Sequence, residues 1–229
     1  MLEKENCNNS STKRGKLYVF FGASGIGKDF LAKKLVEYGK KKEISIEQAP
    51  RIFSREAREK EKGDTQHKYG VVSEEIKAGK YWGKVNGNYI GINESAVNES
   101  LDKGINLVLP TGSVELLEKI QEGFSENPDD LCLVYISGIS MSEIDYFILE
   151  KKRNPQNSWE ENNKSAQKRY KQSKVIIDYY QKNEQKFKYA YLNASKAGKL
   201  GIVEQYSKNL FEDFFEALIE NKKENGVVW

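Results

Sequence analysis

The sequence predicts an α/β protein: a parallel sheet flanked by helices, with a small β insertion and a helical lid. Two observations carry this. Short apolar runs alternate with helical patterns along most of the 229 residues, which is the order a parallel sheet wrapped by helices requires. A glycine-rich segment, FFGASGIGKDF, also joins the first apolar run to the first helical pattern, at the carboxyl end of a strand where such sheets hold their ligands.

KLYVFF (16–21), aromatic and branched, reads as the first strand. After the glycines, Phe30, Leu31, Leu35 and Tyr38 recur at helical spacing. ISIEQA (44–49) is a weaker strand. The polar stretch from Arg51 to Tyr69 has no period and is expected to be irregular. VVSEEI opens a short helix, and YWGKVNGNYIGI (81–92) alternates around Asn86-Gly87 as a hairpin does. ESAVNESLDKG (94–104) is a helix stopped by Gly104, followed by a strand at NLVLP and a helix at VELLEKIQEGF. LCLVYI (131–136) reads as a buried strand. From Ser140 to Lys188 the chain is polar and helical, broken at RNPQNS, and KYAYLN is a last strand. Ile202, Tyr206, Leu210, Phe214 and Leu218 give the final helix a core-facing stripe. The expected organisation is a disordered polar tail at 1–15 and a single domain at 16–229. Within that domain the core is 16–50 and 94–229, the insertion 51–93 and the lid about 140–170.

No apolar run is long enough to span a bilayer and the amino terminus lacks the apolar segment of a secretion signal, so a cytoplasmic protein with no membrane partner is expected. Cys7 and Cys132 cannot form a disulfide framework, and Cys132 is expected in the core. The net charge of +3 is spread among mixed-sign runs, which argues against nucleic acid as a partner. Arginine is less evenly spread: of six, Arg51, Arg55 and Arg58 form one group and Arg153 and Arg169 another, while lysine serves elsewhere. The planar guanidinium fork fits phosphate oxygens two at a time, so clustered arginines in a lysine-rich chain point to phosphate. His67, the single histidine, lies in a polar loop and is expected to be solvated or structural.

Gly22, Ala23, Ser24, Gly25, Ile26, Gly27 and Lys28 satisfy G-x-x-x-x-G-K. Its glycines let main-chain N–H groups turn toward a phosphate at a helix N-terminus, and the lysine reaches the outer phosphates, so a nucleotide such as ATP is the expected ligand. Asp29 stands where the pattern usually has a hydroxyl. A carboxylate is itself a hard oxygen ligand, so Asp29 is a candidate for Mg2+.

The order of features resembles the guanylate kinase family of P-loop nucleoside monophosphate kinases over roughly 16–220. More distantly it resembles ribose 1,5-bisphosphate phosphokinase, in the lysine-aspartate pair of its loop. GASGIGKD is similar to G-P-S-G-x-G-K, FSREAR (53–58) to T-T-R-x-x-R, YGVVSEEI to Y-F-F-V-S-x-E-E-F and VNGNYIGI to G-N-Y-Y-G-T, while LEKKRN and QKRY resemble the lid arginine and the next helix. The resemblance implies a P-loop NTPase fold and an ATP- and Mg2+-dependent kinase. Ser54, Arg55, Arg58, Tyr69, Tyr81 and Tyr89 would hold a phosphorylated small-molecule acceptor, and Lys28, Arg153 and Arg169 would act on the transferring group. Tyr89 and Trp82 are candidates to stack a base. The departures fall on base readers. Tyr81 replaces the acid before the hairpin tryptophan, LVLPTGS replaces L-x-D-x-D-x-Q-G, and Ile90 and Ile92 replace polar hairpin residues. Three readings follow: a nucleoside or deoxynucleoside monophosphate kinase first, a sugar phosphate kinase second, a non-catalytic binding module third. A homodimer is compatible with the sequence, which sets no oligomeric state.

Overall fold

The computed structural model describes residues 13–138, 142–193 and 204–220. Its elements run β1 (Leu17–Phe21), α1 (Lys28–Lys41), β2 (Ile46–Gln48), β3 (Arg51–Phe53), α2 (Ser73–Ala78), β4 (Tyr81–Val85), β5 (Asn88–Ile92) and α3 (Glu94–Asp102), then β6 (Asn106–Thr111), α4 (Val114–Gly123), β7 (Leu131–Gly138), α5 (Glu143–Arg153), α6 (Trp159–Lys182), β8 (Tyr189–Asn193) and α7 (Glu204–Glu220).

Alternation along β1 sets the layers. Leu17, Val19 and Phe21 pack with Val97 and Leu101 of α3 and with Leu116, Leu117 and Ile120 of α4. Tyr18 and Phe20 face the other way, toward Leu31 and Leu35 of α1 and Phe214 and Phe215 of α7. With both faces covered, β1 lies at the centre of a parallel sheet of order β2-β6-β1-β7-β8. Phe21 pairs with Thr111 of β6 and Tyr135 of β7, so the glycine segment after Phe21 emerges beside the end of β6. Cys132 is buried, as expected. Of the stripe on α7, Phe214 and Leu218 are buried; the side chains of Ile202, Tyr206 and Leu210 lie outside the described residues.

The insertion is a second, antiparallel sheet of order β3-β5-β4. Its hairpin turns at Asn86 (φ 51) and Gly87 (φ 87), left-handed at both positions as a primed two-residue turn demands. The strand β3 lies inside the stretch expected to be irregular. Three residues are too few to show a period, and the strand exists because Arg51, Ile52 and Phe53 pair with Ile92, Gly91 and Ile90. The segment expected to act as a lid is α5 and the start of α6. Ser142 and Ser158 cap these helices, each in a reciprocal box with Asp145 or Glu161.

Residues 1–12 of the expected tail lie outside the described residues, but its end is fixed. The Arg14 guanidinium pairs with Asp102 at 2.7 Å and Asp130 at 2.5 Å, and Gly15 N donates to Leu101 O at 2.7 Å. Among the described residues no helix is long and apolar enough to cross a membrane.

Candidate functional site

The loop between β1 and α1 is built by its glycines. Gly25 (φ 84) and Gly27 (φ 94) adopt left-handed backbone that residues with a Cβ avoid. A Cβ on Gly22 would lie 2.2 Å from Ile136 O, so only glycine lets the loop leave the sheet there. Ile26 turns its side chain into the core and offers the loop only its backbone. Lys28 opens α1 and bends back, its Nζ donating to Ala23 O at 2.6 Å. Burial pushes its pKa from 10.5 down to about 8, against the attraction of Asp29. An ammonium with one carbonyl partner, held over a left-handed glycine loop, is an unfinished anion site.

That loop forms one wall of a cavity of about 540 Å³. Ser24, Gly25, Lys28 and Asp29 line the loop side, Arg55, Arg58, Tyr69 and Tyr89 the insertion side, and Arg153 and Arg169 the lid side. With Lys33 and Arg51, seven cationic side chains face three carboxylates, Asp29, Glu61 and Asp64, so the space favours anions. The lid is tied to the loop. Tyr146 of α5 donates to Ser24 O at 3.2 Å, and Arg169 of α6 donates to Ser24 Oγ. Arg169 Nε lies 2.7 Å from Oε1 of Glu150, which is 1% exposed, with Arg153 3.6 Å from the same carboxylate. Burial lowers the Arg169 pKa to about 10, with Glu150 opposing the shift.

On the insertion side Arg55 makes a two-pronged pair with Glu61, at 2.6 and 2.9 Å, while Arg58 stands 3.5 Å from it. The Arg55 guanidinium also lies over the rings of Phe53 (4.8 Å) and Tyr69 (5.2 Å), which stack on each other. These contacts fix the plane of the guanidinium, with both of its Nη atoms engaged by Glu61. The hardness of Asp29 as a donor suits Mg2+. Its exposed carboxylate sits in the first turn of α1, paired with Arg51 at 3.0 Å, and no cluster of three or more ligating side chains occurs among the described residues. A lone carboxylate of this kind could hold Mg2+ only together with the phosphates of a bound nucleotide and water.

Of the expected site residues, Gly22, Ala23, Ile26 and Gly27 of the loop do not line the cavity, and on the acceptor side Tyr81, Ser54 and Trp82 stand apart from it. Tyr81 is 2% exposed in the core beneath α4, where a Cβ on Gly123 would meet its hydroxyl at 2.1 Å. Its position in β4 points it away from the acceptor side, which corrects the expectation that it binds there. Ser54 accepts from Tyr89 N at 2.9 Å and holds β3 to β5 instead of facing the cavity. Trp82 lies beneath the Lys119 amine, outside the cavity. Among the cavity residues not expected in the site are Arg51, whose grouping with Arg55 and Arg58 was its only signal, and His67, expected to be solvated or structural, which is buried and faces the same space.

The fold is guanylate-kinase-like. It matches the crystal structure of guanylate kinase from Anaplasma phagocytophilum with a TM-score of 0.56, covering 90% of this chain and 87% of that one, at 18% identity. No protein-family model matches the sequence, and no curated protein matches it.

Proposed function

We propose that the protein is an ATP-dependent kinase that moves a γ-phosphoryl group onto the phosphate of a small acceptor, with a nucleoside or deoxynucleoside monophosphate as the first reading. One observation carries it: Lys28, Arg153 and Arg169 share a single cavity with Arg55 and Arg58. Phosphoryl transfer asks for no covalent chemistry from the protein, only alignment of two oxygens and neutralisation of the charge spread between them. In this assignment residues Gly22 to Lys28 cradle the donor phosphates, and Arg55 and Arg58, with Tyr69 and Tyr89 beside them, grip the acceptor. Arg153 and Arg169 close from the lid over the group in transit. Mg2+, held by Asp29 and the nucleotide phosphates, would neutralise donor charge.

A phosphorylated sugar is the second reading. It is favoured by Pro110, Thr111 and Gly112, which line the end of β6 without an acid, and by the burial of Tyr81. A hydrogen-bonding base needs polar partners matched to its edge, and these positions offer none with charge. Against a binding module stands the loop itself: a domain freed of nucleotide has no need of a buried lysine over left-handed glycines. We place the enzyme in the cytoplasm, with small-molecule substrates.

A coupled assay of ADP release across nucleoside monophosphates and phosphorylated sugars tests the assignment. Acceptor-dependent ADP formation is the expected result, and its absence with every acceptor would return the chain to the binding class. Asp29→Ser is expected to keep ATP affinity within about threefold and to move the Mg2+ concentration for half-maximal rate. Superimposable Mg2+ titrations would remove Asp29 as a ligand.

A further inference from the structure

One side chain of α6 joins both walls of the cavity and has no task in the transfer assigned above. Asn86 and Gly87 form the turn of the insertion hairpin and lie outside the β4–β5 ladder, whose last pair is Val85 with Asn88, so the Asn86 amide needs a partner from elsewhere. Gln172 supplies it: Asn86 N donates to Gln172 Oε1 at 3.3 Å. The other end of the same side chain, Nε2, donates to Gly112 O at 3.0 Å. An N–H on one side and a carbonyl on the other admit one orientation of a glutamine amide, so Gln172 is keyed at both ends. Gly112 belongs to the donor side. It follows β6, a Cβ on it would lie 3.1 Å from Gly22 O and 3.8 Å from Lys28 Nζ, and the preceding Thr111 O accepts from Gly22 N at 3.3 Å. Arg169, three residues before Gln172 and so on the same face of α6, donates to Ser24 Oγ. One turn of α6 therefore holds the glycine loop, the strand end beside it and the tip of the insertion. The hairpin reaches the acceptor arginines in turn: Tyr89 and Ser54 exchange two hydrogen bonds, at 2.9 and 3.0 Å, immediately before Arg55.

Resting on the assignment of donor loop and acceptor wall above, we propose that Gln172 is a positioning residue that registers the insertion against the glycine loop and carries the effect of donor binding to the hairpin. Its part is geometric, because both ends of its amide are engaged by the protein's own backbone. In-line transfer tolerates little error in that register, since a displacement of about 1 Å can cost about a hundredfold in rate.

Hydrogen–deuterium exchange with the β,γ-imido analogue of ATP and Mg2+ tests this without an acceptor. In the wild type the analogue is expected to slow exchange of the loop amides (22–28) and also of the hairpin amides (81–92), each by about threefold or more. Gln172→Leu, which keeps the bulk of the side chain and loses both hydrogen bonds, should leave the loop protected and return the hairpin to its unliganded rate. Gln172→Ala should do the same, and thermal melting checks that each variant is folded. With an acceptor that drives ADP release, Gln172→Leu should lower kcat about tenfold while KM for ATP stays within about threefold, a split that general loss of stability would not produce. Loop protection with an unchanged hairpin in the wild type, or hairpin protection that survives both substitutions, would overturn Gln172 as the link. Absence of protection at the loop itself would overturn the donor site, and this inference with it.

Discussion

Replacing Lys28 with Met is expected to lower turnover by more than about a hundredfold and to raise the melting temperature by several degrees. The first effect follows from the proposed placing of the amine against the outer phosphates of the donor. The second follows from its burial. Lys28 is 7% exposed with one hydrogen bond of 2.6 Å, and its pKa is about 8 against 10.5 in the unfolded chain. Holding the charge at neutral pH therefore costs roughly 3 kcal/mol, which Met does not incur. The sign can be tested separately. Between about pH 8 and 10.5 the unfolded chain keeps the proton that the folded one has lost, so wild-type stability should gain from Lys28 as pH rises, whereas the variant should lack that gain. Melting curves across that range check it, and a Met variant that is both active and less stable would remove Lys28 from the donor site.

Arg169→Ala should damage both fold and activity. Its removal leaves Glu150, 1% exposed, with only Arg153 at 3.6 Å and the Ser165 hydroxyl among the described residues, and an under-compensated buried carboxylate costs on the order of 3 kcal/mol. Turnover should fall about a hundredfold as the lid loses the guanidinium that meets Ser24. Adding Glu150→Gln removes the stranded charge, so the double variant should recover much of the stability while turnover stays low. Recovery of both together would make Arg169 a support of the lid and nothing more.

Where the chemistry is written in a contiguous segment, the sequence could be read. The glycine loop, the strand before it and the Asn86-Gly87 turn depend on neighbours a few residues away. What depended on distant partners could not. The strand β3 forms because β5 offers it a pairing edge, and that pairing points Arg51 into the cavity. The position of Tyr81 in β4 is fixed by the packing of α4 against the hairpin, which no local pattern contains. Arg14 belongs to the fold because Asp102 and Asp130, far along the chain, meet there. His67 follows Arg51: its burial appears once β3 lies beside it, with Lys68 N donating to Arg51 O at 2.9 Å.

Phosphorus NMR of the reaction with ATP and the acceptor that drives ADP release reads the central claim, that donor and acceptor phosphates meet in one cavity. The account predicts a new phosphoanhydride signal on the acceptor, growing as the γ-phosphate of ATP disappears. Phosphate appearing only as the free inorganic ion, with the acceptor unaltered, would contradict it.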